Sequence, residues 1–300
     1  MTSAIMLVGI PASGKSTLAQ SLAKQHSATI HSSDAIRAEL YGDESTQGSN
    51  NEVFNILHNR ISADLAKGQS VIYDACNINY KQRMQFLSSI AQYKPRTMCY
   101  MLVKSYEQCL ADNKKRERIV PEHVIKRMLT SIWIPQAYEG WDGICIVYPD
   151  DIVRPLQETV DTLMAFDQEN KWHSYTLGEH LTRTAGSLLD TDDANLITAG
   201  LCHDIGKPFV KSFENHKRVK GDSAHYYNHS NVSAYEYLLK EDRSIGIDNI
   251  LDTANLIQWH MRPYDLARND GKGTNKFTKL IGEETYKRLM LLHEADKAAH

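Results

Sequence analysis

Residues 9–16 read GIPASGKS: two glycines four residues apart, then Lys15 and Ser16, after a short apolar run and before a helical period. This spacing suits a loop that cradles phosphate. The glycines let backbone N–H groups curl around a β-phosphate, the helix N-terminus adds its positive end, Lys15 reaches the β and γ oxygens, and Ser16 ligates Mg2+. Gly9, Ser13, Gly14, Lys15, Ser16 and Thr17 are therefore the nucleotide-binding candidates, and ATP or another NTP with Mg2+ is the expected cofactor. The loop does not say where the end phosphate goes. In HSSDAIRAEL, Asp34 precedes Arg37 by three residues, so both project from the first turn of one helix. A carboxylate there can take the proton of an attacking hydroxyl, and the planar fork of an arginine can hold a phosphate. An N-cap aspartate beside a solvated arginine is the plainer alternative. Asp74 ends VIYDACN, where it can meet Mg2+ through water or hold the acceptor. The run NKKRERIVPEHVIKRM, residues 113–128, places Lys114, Lys115, Arg116 and Arg118 just before a helix opened by Pro121. It is either a solvated face or a basic hairpin that closes over ATP. In the second case Arg116 and Arg118 supply the cations that stabilise the moving phosphoryl group.

A second group of residues suggests metal chemistry. His203 and Asp204 are adjacent in LCHDIGKP, with His180 upstream in TLGEH, His229 in HYYNH, His260 in LIQWH and Asp296 in LHEAD. As separate core residues each would need its own hydrogen-bond partners. One shared metal site satisfies them together, and mixed His/Asp ligands suit Mn2+, Fe2+, Co2+, Ni2+ or Zn2+. His225 is expected to face substrate or support a ligand, whereas His173, His216 and His293 read as surface or structural. Arg262, beside His260, can hold a substrate phosphate or sit on a solvated rim.

These residues lie far apart in the chain, so the elements between them must bring them together. Strand-like segments at 4–8, 29–31, 70–74, 97–103 and 144–147 alternate with helical ones at 15–26, from 34, 51–67, 80–93, 106–115 and from 121. That alternation predicts a parallel sheet with helices on both faces. From about residue 156 strand signals disappear and helical periods at 177–189, 194–203, 232–239, 250–261 and 283–298 predict an all-α domain. YPDDIVRP, residues 148–155, is the expected boundary, giving domains 1–155 and 156–300. The first has 17 Lys+Arg against 15 Asp+Glu, the second 17 against 22, which sums to the net charge of −3. Neither carries the basic excess of a protein that coats nucleic acid, so any such substrate must be held locally. The five cysteines form no C-x-x-C pair, which argues against a disulfide framework or thiolate zinc and for buried thiols. No apolar run approaches the roughly 20 residues needed to span a bilayer, and no signal pattern opens the chain. A cytoplasmic protein is expected.

GIPASGKS, SSDAIR, VIYDACNINYKQR and KKRERIVPEHVIKRM together, over about residues 4–150, resemble the kinase domain of phage-type polynucleotide 5′-kinases. The resemblance implies that Asp34 is the general base on a 5′-hydroxyl and that Arg37 contacts the acceptor's 3′-phosphate. It also implies that Asp74 contacts the acceptor and that Arg116 reaches the donor phosphates from a lid about a residue shorter than the family's. HDIGKP, HYYNHS and WHMRP, over about residues 171–300, resemble the HD family of metal phosphohydrolases, and most closely the HD domain of bacterial tRNA nucleotidyltransferases. That likeness implies one metal held by His180, His203, Asp204 and Asp296. A second would be brought in by His229 and His260, with Asp204 bridging and Lys207 stabilising charge on the phosphate.

The fold implied is an α/β P-loop kinase domain with a parallel sheet, followed by an all-α HD domain. The expected function is healing of nucleic-acid ends, by an ATP-dependent 5′-kinase and by removal of 2′- or 3′-terminal or cyclic phosphate at one or two divalent transition-metal ions. RNA ends are favoured over DNA as partners, with no membrane. A homo-oligomer and a ligase acting on the healed ends are both compatible with this reading. Two alternatives stand beside it: a nucleoside or metabolite kinase joined to a nucleotidase, and an ATP-binding switch that regulates the phosphohydrolase.

Overall fold

The computed structural model describes residues 2–43, 48–149, 155–170, 172–240 and 243–300. Residues 44–47 and most of the expected boundary (150–154) lie outside the described residues. The chain divides into two compact units, Met1–Met128 with Pro135–Asp151, and Leu129–Ile134 with Ile152–His300.

In the first unit, β1 (Ser3–Val8), β2 (Thr29–Ser32), β3 (Val71–Asp74), β4 (Arg96–Leu102) and β5 (Gly143–Val147) form one sheet in the order β2-β3-β1-β4-β5. Every pairing is parallel. The connections are α1 (Lys15–His26), α2 (Ser33–Tyr41), α3 (Asn50–Ala66), α4 (Tyr80–Ile90), α5 (Tyr106–Asn113) and α6 (Glu122–Thr130). A central strand covered on both faces must be apolar throughout, and residues 4–8 of β1 are all buried. On α3 the buried residues are Val53, Leu57, Ile61 and Leu65, one side chain every four positions, which leaves the next face free to line a cleft. Ile5, Leu7 and Ile72 of the sheet pack on Ala19 and Leu22 of α1, so the helix behind the glycine loop is seated on the strand before it.

The second unit contains α7 (Leu156–Leu163), α8 (Leu177–Gly186), α9 (Ala194–Cys202), α10 (Lys207–Val210), α11 (His229–Lys240), α12 (Ile247–Trp259), α13 (Arg262–Arg268), α14 (Thr274–Ile281) and α15 (Glu283–Ala298). It is helical, with one addition that its sequence did not announce. β6 (Ser212–Glu214) and β7 (Lys220–His225) form an antiparallel hairpin between α10 and α11. Helix starts are set by local chemistry. Thr176 and Glu179 form a reciprocal capping box that places His180 one turn into α8. Asp193 caps α9 through the Leu196 N–H and also takes two bonds from Arg288 of α15, at 2.6 and 3.0 Å. Arg288 then reaches Asp252 of α12 at 2.9 Å, so one guanidinium ties together three of the helices that carry the metal-type residues. No helix among the described residues is long and apolar enough to cross a membrane. All five cysteines are free; Cys99, Cys109 and Cys202 are buried, and Cys76 and Cys145 are half-buried.

Candidate functional site

The first site lies at the carboxyl ends of the sheet strands, the expected ligand position in an open parallel sheet. A cleft of about 1350 Å3 opens there, lined by Gly14, Lys15, Ser16 and Thr17 of the glycine loop and by Asp34, Arg37, Asp74, Arg116 and Arg118. Gly9 and Ser13 stand behind it. A Cβ on Gly9 would meet Ser13 Oγ at 2.7 Å and the Leu102 carbonyl at 3.2 Å, so glycine is required for the loop to turn so close to the sheet. Ser13 is fully buried and its hydroxyl has no hydrogen-bond partner. Lys15 Nζ folds back onto the Ile10 carbonyl at 2.8 Å. Ser16 Oγ donates to Asp74 Oδ2 at 3.0 Å, which pairs the hydroxyl and carboxylate that an Mg2+–nucleotide needs. Burial pushes the Asp74 carboxyl up, against the pull of Lys15 and Arg116. The donor set thus fits a magnesium nucleotide.

At the other end of the cleft, Ser32 caps α2 by accepting from the Asp34 and Ala35 N–H groups, so Asp34 is not the cap and its carboxylate is free to face the cleft. Asp34 Oδ1 accepts from Arg37 Nη1 at 3.0 Å and pairs with Arg118 Nη1 at 2.9 Å. Arg37 also donates to Asn50. Lys114 and Lys115 are exposed, and Lys115 is paired with Asp112, so of the basic run only Arg116 and Arg118 line the cleft. Beyond Arg37 the wall changes character. Phe54, His58, Tyr73 and Phe86 form a ring cluster, Tyr73 to Phe86 at 5.0 Å and His58 to Tyr73 at 5.5 Å. The carboxamides of Asn51, Asn55, Gln82 and Gln85 line the same cleft. Sequence reasoning passed over this wall. Its signal was present in the helical spacing of Asn51, Asn55 and His58 and of Gln82 and Gln85.

The loop after β3 is held from below. Arg83 is buried and meets Glu139 through two bonds, at 2.7 and 2.6 Å, while a third reaches the Asn77 carbonyl. Asn77 in turn donates to the Leu7 carbonyl, which joins the exit of β3, and with it Asp74, to the strand that feeds the glycine loop.

The second site is the interior of the helical unit. His180 lies in α8, His203 and Asp204 follow α9, His229 opens α11, His260 closes α12 and Asp296 lies in the last turn of α15; all six are buried. The structure brings them to one place as two groups, His180/His203/Asp296 and Asp204/His229/His260. Asp204 joins the groups through its two oxygens. Its Oδ2 lies 3.6 and 3.5 Å from His180 and His203 Nε2, and its Oδ1 lies 2.9 and 3.4 Å from His229 and His260 Nε2. Each imidazole has its Nδ1 on a backbone carbonyl: Ala299 for His180, Gly200 for His203, Tyr226 for His229 and Ile257 for His260. An Nδ1–H donated to a carbonyl leaves Nε2 as a bare lone pair aimed inward. The lone pairs of His180 and His203 then face each other at 3.1 Å, and those of His229 and His260 at 3.0 Å. Among the described residues Asp204 Oδ1 has no hydrogen-bond donor in bonding geometry. Convergent lone pairs with no proton between them repel unless a cation sits among them, so these residues fit divalent metal.

The electrostatics bear on ligand chemistry in both directions: burial opposes charge on His203, but the Asp204 and Asp296 carboxylates raise its imidazole above the ordinary value, so a metal must displace a proton there. Burial opposes charge on Asp204, yet the Lys207 ammonium beside it holds it ionised well below the usual carboxylate range. Burial drives His260 down to about 4, keeping it neutral as a ligand must be. Lys207 is buried, with Nζ 2.6 Å from Asp204 Oδ2, 2.7 Å from Gln168 Oε1 and 3.2 Å from His173 Nε2. The loop that carries the His-Asp pair lies against α11, where a Cβ on Gly206 would meet Ser233 N at 2.5 Å.

Two further histidines stand near this centre. His173 was read as surface or structural, yet it offers a ligand atom beside those of His180 and His300, and burial with Lys207 drives its imidazole down to about 3. His300 drew no notice in the sequence, yet its Nε2 lies 3.2 Å from Asp296 Oδ1. The remaining residues are placed as follows. His293 packs edge-on against Tyr264, whose hydroxyl donates to Asp296. His225 and His216 belong to the hairpin. Arg262 faces Asp265 at 3.9 Å and the Phe277 ring.

Comparison with known proteins divides the chain in the same way. Residues 5–133 match the AAA domain and residues 172–299 the HD domain. No curated protein shows a significant match. Among solved structures, a sugar kinase from Janibacter sp. HTCC2649 shares 18% identity at a TM-score of 0.39, covering 49% of this chain and 86% of that one. A gluconokinase from Sinorhizobium meliloti 1021 shares 17% at 0.38, covering 52% and 86%. The Pnkp1/Rnl/Hen1 complex shares 19% at 0.35, covering 51% and 48%. With its glycine loop, five-stranded parallel sheet and buried His/Asp centre, this chain joins an α/β domain that matches the AAA domain to a helical domain that matches the HD domain.

Proposed function

We propose that the protein heals nucleic-acid ends: its first domain phosphorylates a 5′-hydroxyl with ATP, and its second removes phosphate from a 2′- or 3′-terminal or cyclic ester. The observation that carries the reading is that one cleft is lined both by Lys15, Ser16 and Asp74, which we read as its nucleotide end, and by Asp34 and Arg37, which we read as its acceptor end. In this mechanism the 5′-oxygen attacks the γ-phosphorus, its proton passes to Asp34, and the bond to the β–γ bridging oxygen breaks to release ADP. Lys15 and Arg116 would hold the transferring group, Ser16 and Asp74 are the residues that would hold the magnesium, and Arg37 would fix the acceptor. Arg118 must exchange Asp34 for phosphate as the nucleotide enters, which uncovers the base only when a donor is present.

In the helical domain His180, His203, Asp204 and Asp296 would hold one ion, and His229, His260 and Asp204 are the residues that would hold a second. When bound, such ions supply a water acidic enough to attack at neutral pH and neutralise charge on the ester. Asp204 spans both groups, and Lys207, fixed by Gln168 and His173, would stabilise charge that develops on a phosphate. RNA ends fit best as substrate, because RNA cleavage leaves the 5′-hydroxyl and the 2′,3′-cyclic or 3′-phosphate that the two activities convert.

The test offers γ-labelled ATP with 5′-hydroxyl oligonucleotides of RNA and DNA and with free nucleosides and sugars. In parallel, 3′-phosphate and cyclic-phosphate ends are offered with Mn2+, Co2+ or Ni2+. Label on oligonucleotide 5′ ends and loss of the terminal phosphate are expected. Label confined to a small acceptor favours a metabolite or nucleoside kinase joined to a nucleotidase. The nearly balanced charge of the first half, 17 Lys+Arg against 15 Asp+Glu, supports that second reading. ATP binding without transfer to any acceptor, together with an Asp34→Ala variant that retains control of the hydrolase, identifies a switch.

A further inference from the structure

The hairpin formed by β6 and β7 has no part in either site, and three observations give it one. The first is charge. Residues 211–225 hold four bases (Lys211, Lys217, Arg218, Lys220) and two acids (Glu214, Asp222), a net of +2. The rest of residues 156–300 has 13 bases and 20 acids, a net of −7. Lys211 is used at the hairpin's base, paired with Glu169 at 2.9 Å. Among the described residues Lys217, Arg218 and Lys220 form no ion pair, and all three are exposed. The second is that the tip is built. Asn215 Oδ1 accepts from the Lys217 and Val219 N–H groups, its carbonyl accepts from Arg218 N at 2.8 Å, and Arg218 takes the left-handed conformation at φ 59°. The cations therefore project from a fixed turn. The third is position. Tyr227, just past β7, carries the His216 ring at a centroid distance of 3.7 Å and the His225 ring nearly parallel at 5.4 Å. Two residues further on, His229 enters the metal centre, so from the end of the hairpin to that ligand is at most roughly 14 Å of extended chain.

From these we propose that the hairpin is a single-strand-binding arm that leads a nucleic-acid terminus into the metal centre. Lys217, Arg218 and Lys220 take phosphates, and the His216–Tyr227–His225 rings offer a stacking platform for bases. This rests on the phosphohydrolase reading of the HD domain. A cationic tip and stacked rings on an otherwise acidic domain are the two devices that hold a single strand without reading its sequence. They also supply the small local basic site that a chain without overall basic excess requires.

The full chain loaded with Mn2+ is compared with its Lys217→Ala/Arg218→Ala/Lys220→Ala variant in two assays. The first follows hydrolysis of bis(p-nitrophenyl) phosphate, which is too small to touch the arm. The second follows anisotropy of a fluorescent 3′-phosphorylated single-stranded RNA at several salt concentrations. Expected are equal ester turnover, affinity for RNA weakened by about tenfold or more at low salt, and a log–log salt slope shallower by about 2, from 0.7 per lost phosphate contact. Tyr227→Leu should weaken RNA binding several-fold and leave the slope unchanged, because stacking releases no counterions. Unchanged affinity and slope in the triple variant overturn the proposal. So does a change in oligomeric state with RNA affinity intact, which makes the hairpin a contact between copies of this chain. If the unmutated protein hydrolyses neither ester nor RNA terminus, the phosphohydrolase reading fails, whatever the binding curves show.

Discussion

In the nucleotide cleft the charged groups still meet solvent: the Asp34 side chain is 39% exposed and Arg118 17%, whereas in the metal centre Asp204 and Asp296 are 4% and 6% exposed. An exposed pair such as Asp34–Arg118 is worth about 0–1 kcal/mol, so it can break when a phosphate offers a better partner. Buried carboxylates and inward-facing imidazoles cannot trade partners in that way, because each would be left desolvated and alone. The cleft is therefore made to rearrange and the centre to stay assembled. Substitutions in the first should mostly change turnover, and substitutions in the second should change turnover and stability together.

The sharpest way to break this contrast is Asp204→Ala. It removes the residue common to both metal groups and strands Lys207, so phosphoester hydrolysis should vanish, bound metal should fall on elemental analysis, and denaturant unfolding should show a loss of about 3–5 kcal/mol. Transfer from ATP should continue. Asp34→Ala is the counterpart in the cleft. Transfer should drop by about 10²–10⁴-fold in a label assay, with stability unchanged to within about 0.5 kcal/mol. A large loss of stability would place Asp34 among structural groups and erase the distinction.

Arg83→Ala carries the features of a buried site into the first domain. Its bidentate bond to Glu139 is as desolvated as the metal centre, so a loss of about 3–5 kcal/mol is expected in urea unfolding, with the hydrolase kinetics unaltered. Arg118→Gln should cost roughly tenfold in kcat/KM for ATP and leave stability alone; an unchanged KM and kcat would show that the pair with Asp34 is incidental. The smallest effect concerns pH. Burial lowers the imidazoles of His58 and His31 in the first domain below their ordinary 6.5. The unfolded chain therefore takes up protons that the folded one refuses as pH falls below about 6.5. Stability present above that value should decline on acidification, and His58→Gln should make the decline shallower in melting curves taken from pH 7 to 5.

The first site was largely legible because phosphate binding is done by backbone in a loop whose residues adjoin in sequence. Lys15, Ser16 and Thr17 sit beside Gly14 whatever the rest of the chain does, and Asp34 and Arg37 share one helical turn. Arg83 and Glu139 were invisible, since nothing in residues 77–83 announces a partner 56 positions away. The metal-type residues were found by an unusual count of imidazoles beside carboxylates, and the resemblance to the HD family already implied two groups joined by Asp204; the backbone carbonyls that fix each Nδ1 were not legible. The hairpin was missed for another reason. In SFENHKRVKGDSAH only Phe213, Val219 and Ala224 are apolar, too few to show a two-residue period. Its strands are held by pairing across a turn that Asn215 organises, not by burial of one face.

From its amino acids alone this protein is committed to an alternating strand–helix half with a phosphate loop and to a helical half rich in histidine, because periodicity and glycine placement act over a few residues. The tertiary structure decided which histidines converge: Nδ1 of each ligand is fixed by a carbonyl contributed by a helix end or the C-terminal segment, and whether four Nε2 atoms meet around Asp204 depends on how five helices pack. It also decided that Asp34 rests under Arg118 and that the basic stretch before His229 folds back on itself as a hairpin. Electrostatic contacts act through space, and only the folded chain says which charges are near.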